Sequence, residues 1–229
     1  MPPKVRRVAV ADAVADHLTT AILTGEIEQG SMLREGELVT RYGVSRQSLR
    51  AALLQLHHSG LLRREMNRGY WVPKLTRRDI DDVYDMRVMV DTTAARRAAA
   101  NPRRLDAAAE ALDRIERFRP SVTRPEIIRA HMDFHRTVIA AAGSAWLLRF
   151  YDLLFPETWL SLGRATWNTP MARAATVVGY HRELLAEFQS GDVERAVAAA
   201  RQHSEAARPT AVSVADEPAA DGPAAFDGA

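Results

Sequence analysis

Four of the chain's seven histidines fall on apolar helical faces. His131 and His135 are one turn apart, on the side that carries Ile127, Val138, Ile139 and Ala142. His181 shares a face with Val177, Leu184, Leu185 and Phe188, and His203 with Val193, Ala196, Val197 and Ala200. An i, i+4 pair aims two nitrogens at one point, and the neutral imidazole is the commonest protein ligand for zinc and similar ions. Each histidine taken alone also fits a hydrogen-bonded core residue, so spacing leaves both readings open. The His131-Met132-Asp133-Phe134-His135 run has the histidine spacing of zinc proteases. Their chemistry needs a glutamate directly after the first histidine as general base, and Met132 cannot take a proton. No Ser, Cys or Lys nucleophile arrangement stands out, so a metallohydrolase is the weaker alternative and no enzyme is expected.

Arg87 is the other inward polar residue. Ile80, Val83, Tyr84, Arg87, Val88, Asp91, Ala94 and Ala95 share one helical face. A buried guanidinium needs an anionic partner. Asp91, one turn on, supplies one as an internal ion pair, and a carboxylate ligand would supply another. Tyr84, Trp159, Arg164 and Trp167 fall near the middle of the same region, where they are placed to line a cavity.

A different set of cations lies near the N-terminus. Gly43 is placed to stop one short helix and Ser45 to cap the next, which begins at Arg46. Leu49, Ala52, Leu53 and Leu56 recur at i, i+3, i+4, i+7, while Arg46, Gln47 and Arg50 occupy the opposite face. A packed back and a cationic N-terminal front suit a helix that enters the major groove. A surface helix with solvated arginines is the plainer reading of this stretch alone.

The elements around it favour nucleic acid. Val14, Leu18, Ala21 and Ile22 mark a preceding helix closed by Gly25, and a second begins near Glu35 with Leu38, Val39 and Tyr42 inward. After Gly60, strand-like runs 61–65 and 70–73 are joined by Met66-Asn67-Arg68-Gly69, which has turn chemistry and a basic tip. Three helices and a hairpin make a winged helix-turn-helix, with the wing at Arg68 and Gly69 reaching phosphates or a minor groove. From Thr76 to about 207 the pattern is helical, about six helices jointed at Pro102, Pro120, Pro125, Gly143, Pro156, Pro170 and Gly191, as in an antiparallel bundle. The fold class is therefore mostly α: residues 1–75 a DNA-binding domain, 76–208 an all-helical domain, and 209–229 a disordered tail rich in Ala, Pro, Asp and Gly.

Composition sets limits. The chain has 229 residues and no cysteine, so disulfides and thiolate metal sites are excluded. No apolar run approaches the roughly 18 residues that span a membrane, and no signal-peptide pattern opens the chain; a cytoplasmic protein is expected. The net charge is only +2. Residues 1–75 nevertheless carry 11 Lys+Arg against 7 Asp+Glu, a mild excess on the DNA-binding side.

Residues 10–73 resemble the N-terminal domain of the GntR family of bacterial transcription regulators. The resemblance rests on Ile22, Gly25, Gly30, Leu33, Glu35, Leu38, Gly43-Val44-Ser45-Arg46, Leu49-Arg50, Leu53, Leu56, Gly60-Leu61, Arg68-Gly69 and Val72. It implies DNA contacts from Arg46, Arg50 and the Arg68-Gly69 wing. Gly36 stands where many members carry a DNA-touching arginine, and Ala51 where a glutamate is common.

Residues 76–207 resemble the FCD effector-binding domain of the FadR branch, through Arg87, Phe134-His135, Ala142-Gly143, His181-Arg182-Glu183-Leu184-Leu185, Gly191-Asp192, Ala196 and His203. That likeness implies a metal held by His135, His181 and His203, with His131 in a slot that relatives fill with aspartate. Asp133 lies roughly 200° around the helix from His135 and points elsewhere. Such a donor set suits Zn²⁺ or Ni²⁺ rather than Mg²⁺ or Ca²⁺. The likeness also implies that Arg87, with Tyr84 and Arg164 near it, meets a small organic acid. The expected protein is a homodimeric regulator, a repressor by preference, bound to a palindromic double-stranded operator and released by a carboxylate effector. An effector-independent DNA-binding protein is the second alternative.

Overall fold

The computed structural model describes residues 5–66, 69–118, 124–166 and 174–215, apart from some side chains at helix ends. Helix α1 (Val5–Thr24) ends at Gly25, whose φ of 78° turns the chain. Strand β1 (Met32–Leu33) then leads into α2 (Glu35–Tyr42). Gly43, at φ 60°, closes α2 in the left-handed region that a side chain disfavours. Two residues later the Ser45 hydroxyl accepts from Ser48 N at 3.1 Å and starts α3 (Arg46–His58). Leu49, Ala52, Leu53 and Leu56 are all buried, as their spacing predicts.

Strands β2 (Arg63–Glu65) and β3 (Gly69–Trp71) follow, in an antiparallel sheet of order β1-β3-β2. The hairpin is shorter than expected at its first strand because Leu61 and Leu62 are buried in the turn before it. Strand β1 was not foreseen, since two residues cannot show alternation; it pairs Met32 with Trp71 and Leu33 with Tyr70.

Thr76 and Asp79 cap one another reciprocally, Thr76 N donating to Asp79 at 2.8 Å and Asp79 N to Thr76 Oγ1 at 3.2 Å. This box starts α4 (Arg77–Ala99), the first of the bundle helices. A 3₁₀ turn (Pro102–Leu105), α5 (Asp106–Glu116), α6 (Arg124–Ala141), α7 (Ala145–Thr166), α8 (Ala174–Gln189) and α9 (Val193–Ala215) complete the bundle.

The joint expected at Pro156 is absent, and so is the break expected from Pro209 onward. Helix α7 runs through Pro156, and α9 runs through Pro209 to Ala215, past the point where disorder was expected. Each proline deletes one intrahelical bond, but burial outweighs the loss: Trp159 and Leu160 follow Pro156 into the core, and Ala211 is fully buried beyond Pro209. Residues 216–229 lie outside the described residues.

The two domains share one core. Leu18, Leu49 and Leu53 of the first belong to the same buried cluster as Tyr84, Met132, Trp159, Leu160 and Ala211 of the second. Gln29 bridges them with its amide, Nε2 donating to the Leu160 carbonyl at 2.9 Å while Oε1 accepts from Leu75 N at 3.2 Å. An Arg63–Glu157 pair at 3.4 Å and the approach of Gly60 to Pro156 lie along the same joint.

Candidate DNA face and histidine centre

On α3, Arg46, Gln47 and Arg50 are exposed on the side opposite the buried leucines. Arg50 Nε donates to Glu35 on α2 at 2.8 Å, leaving the outer edge of its guanidinium facing away from that bond. Gly69 is exposed at φ 87° at the start of β3. Arg68 lies outside the described residues.

Inside the bundle, α6 contributes His131 and His135, α8 His181 and α9 His203. The Nε2 atoms of His131 and His181 are 2.8 Å apart, and those of His131 and His135 3.0 Å. His181 Nδ1 donates to the Val177 carbonyl at 2.7 Å, so its Nε2 carries the lone pair. One proton on His131 Nε2 cannot lie along both contacts. Three nitrogens therefore converge with too few protons to bond one another, an arrangement that suits a shared cation. Histidine-only donors fit a borderline transition metal better than a hard one.

His203 adjoins this group. Its ring centroid is 5.0 Å from those of His135 and of His181, and its buried Nδ1 has no hydrogen-bond partner among the described residues. Burial, then the neighbouring imidazoles and the charge of Arg87, hold His131 and His135 well below the ordinary histidine range. Burial, His181 and Arg87 do the same for His203. Burial brings His181 down to about 4 against the Val177 bond. All four are thus neutral near pH 7, the form that ligates metal.

Arg87 is 4% exposed. Its Nε is 3.4 Å from Asp91 Oδ2, so the internal pair exists. It does not exhaust the guanidinium, because Arg87 Nη1 is buried without a partner among the described residues. Burial works against the Arg87 charge, and Asp91, Tyr84 and Tyr151 outweigh it. Burial raises the Asp91 carboxyl, opposed by Arg87 and by the Ser204 hydroxyl, which donates to Oδ2 at 2.7 Å. Tyr84 is fully buried, with Arg87 Cζ 5.5 Å from its ring centre. Asp91, His135 and His203 line one small cavity. The side chain of Arg164 and all of Trp167 lie outside the described residues.

Three participants were not found from sequence. Ser204 was signalled by the α9 period, because Ala200, Ser204 and Ala211 are all buried on one face. Glu35 was noted in the family pattern but not as the partner of Arg50. Gln29 sits in a turn and carried no signal.

This combination defines a DNA-binding module joined to a helical domain with a polar interior. The FCD domain model matches residues 82–206, and the model for bacterial regulatory proteins of the GntR family matches residues 10–72. The chain belongs to the GntR family and carries an FCD domain; it is a transcriptional regulator. It is 28% identical over 201 residues to the "Probable D-xylose utilization operon transcriptional repressor" of Paenarthrobacter nicotinovorans, covering 87% of this chain and 88% of that protein. It is 27% identical over 196 residues to the transcriptional repressor GlaR of Escherichia coli, covering 81% and 88%. A GntR regulator of Rhodococcus sp. RHA1 shares the fold at TM-score 0.66 and 22% identity, over 89% of this chain and 97% of that one. The families and relatives are transcriptional regulators, not enzymes. Among the described residues, no helix is long and apolar enough to cross a membrane.

Proposed function

We propose that the protein is a cytoplasmic, homodimeric repressor whose grip on a palindromic operator is controlled by a small carboxylate bound beside a metal in the helical domain. Residues 1–75 act as the DNA-binding unit and 76–208 as the effector unit. Arg46, Gln47 and Arg50 read base edges, with Ser45 fixing the start of their helix. Arg68 and Gly69 make the wing contact. Names of relatives, repressors of D-xylose and gluconate operons among them, support repression.

The observation that carries the effector reading is the incomplete polar interior: imidazole nitrogens converging on one point, near a buried guanidinium with a nitrogen left unpaired. His131, His135 and His181 would hold Zn²⁺ or Ni²⁺, with His203 flanking them. A bound ion would offer positive charge and free coordination positions to carboxylate oxygens. Arg87 orients the same carboxylate through Nη1 while Asp91 and Ser204 fix the rest of its side chain, and Tyr84 and Arg164 border the ligand. Helix α4 carries Arg87 and follows the wing directly, so a small rotation of α4 changes the spacing of two recognition helices. An effector that prefers one arrangement over the other shifts DNA binding by that preference, typically about 1–3 kcal/mol.

Elemental analysis of the purified protein beside a His135→Ala/His181→Ala variant tests the metal. A carboxylic-acid screen by thermal shift, followed by titration on operator DNA, tests the effector. We expect near-stoichiometric metal in the wild type alone, and an effector response that Arg87→Ala removes. Metal-free wild type that still responds would take the metal out of the mechanism.

A further inference from the structure

Two hollows lie back to back in the bundle. The inner one, about 10 Å³, is walled by Asp91, His135, Val138 and Phe188 among others and has room for about one water. The outer one is an open cleft of about 230 Å³ between α8 and α9, lined by Tyr180, Glu183, Glu187, Ala199 and Gln202. Leu184 and His203 line both, so they form the wall between the histidine centre and this cleft. Of the two, His203 is the side chain free to turn. His135 and His181 are buried, and His131, although partly exposed, is held by contacts of 2.8 and 3.0 Å to its neighbours. His203 is partly exposed, yet its Nδ1 is buried without a hydrogen-bond partner among the described residues. Its ring lies against Tyr180, 5.5 Å away and tilted by 33°, and Tyr180 is itself 43% exposed. Turning such a ring between rotamers requires no movement of α9.

We propose that this cleft is the way in to the histidine centre for a divalent cation, and that His203 is its door. This rests on the metal reading above and supplies the entry path that a buried metal site requires. Both the size and the charge of the path suit an ion. An inner cavity of about 10 Å³ admits a solute that has shed most of its water and nothing much larger. At the mouth, Glu183 and Glu187 stand one turn apart on α8. Arg195 is engaged with both Glu187 oxygens at 2.9 Å, so the three side chains together keep a negative charge. A cleft of that sign concentrates cations at its opening. With the His203 ring turned toward the cleft the wall opens, and with the ring turned back the ion is closed off from solvent.

The chain has no cysteine, so single introduced thiols report access. Ala200, 2% exposed, lines the inner cavity, whereas Ala108, 1% exposed on α5, lines neither hollow. In chelator-treated full-length protein, Ala200→Cys should react with methyl methanethiosulfonate about 10-fold faster than Ala108→Cys, which is reached only by wider opening of the bundle. Adding Gln202→Trp, which fills the cleft from an exposed position, should bring that rate down to the Ala108→Cys level; adding Tyr180→Ala should raise it. Circular dichroism should be unchanged throughout. Zinc uptake and release, followed by exchange with a chromophoric chelator, should both slow about 10-fold in Gln202→Trp at an unchanged dissociation constant, because a plugged path alters rates and leaves the bound state alone. Ala200→Cys no faster than Ala108→Cys, or zinc rates indifferent to Gln202→Trp, overturns the cleft as entry and moves it to the partly exposed side of His131. A changed dissociation constant at an unchanged uptake rate makes the cleft part of the site and overturns its role as entrance. Wild-type protein that takes up no zinc removes the metal reading, and this route with it.

Discussion

In α3 the charges stand outside and the leucines inside; in the bundle the arrangement is inverted, with Arg87, Asp91 and four imidazoles among apolar side chains. The α3 arginines lose little by being solvated, and their value lies in what they meet on DNA. The bundle charges are costly unless each finds a partner, so the interior constrains its own composition. Function at the first site is therefore separable from folding, and at the second it is not.

That contrast can be broken by measurement, and the largest effect should come from Asp91→Ala. It leaves Arg87 buried with its Asp91 partner gone, which typically costs about 3–5 kcal/mol. Urea unfolding should show the loss, and Arg87→Met/Asp91→Leu should recover most of it. If Asp91→Ala is neutral, the interior is more hydrated than its burial indicates.

Acid gives the next effect. His181 titrates near 4 in the folded protein against about 6.5 unfolded. Because the folded pKa is the lower, stability is full above about pH 6.5 and lost as pH falls toward 4, by about 3 kcal/mol from this group. Chelator-treated protein melted across that range should show the slope, and a flat profile would count against a neutral cluster.

At the outer site, Arg46→Ala and Arg50→Ala should each weaken specific DNA binding by about 1–3 kcal/mol per half-site while leaving the melting temperature unchanged. A fall in melting temperature instead would erase the distinction between the two regions. Smaller still, Ser45→Ala should cost about 1 kcal/mol of stability through the lost cap, and Glu35→Ala at most about 1 kcal/mol. For Glu35→Ala the informative readout is base preference at the position read by Arg50, measured against non-specific affinity.

The same contrast explains what could be read from the chain. Helix α3, its Ser45 cap and the Gly43 stop are local features, written in adjacent residues. The inward histidines were legible because period alone sets a helix face. Which nitrogens meet was not, since His131, His135 and His181 converge only when α6 and α8 pack, and that packing leaves His203 alongside. Pro156 and Pro209 misled for the same reason: their local cost is visible in sequence, whereas the burial of Leu160 and Ala211 that overrides it is tertiary. Strand β1 was too short to carry a pattern.

The Gln29 amide touches only main chain on both sides of the domain joint, the Leu75 N–H and the Leu160 carbonyl. Such a fastener is blind to the side chains it clasps. Over evolutionary time, positions 75 and 160 can exchange one apolar residue for another, retuning how the domains nestle, without loosening either bond. Position 29 has little such latitude, since among the uncharged side chains only asparagine, glutamine and neutral histidine present a donor and an acceptor on one planar group; asparagine is a methylene shorter, and histidine fixes its two nitrogens in a ring. Drift in related sequences should therefore concentrate on the clasped positions and spare the clasp.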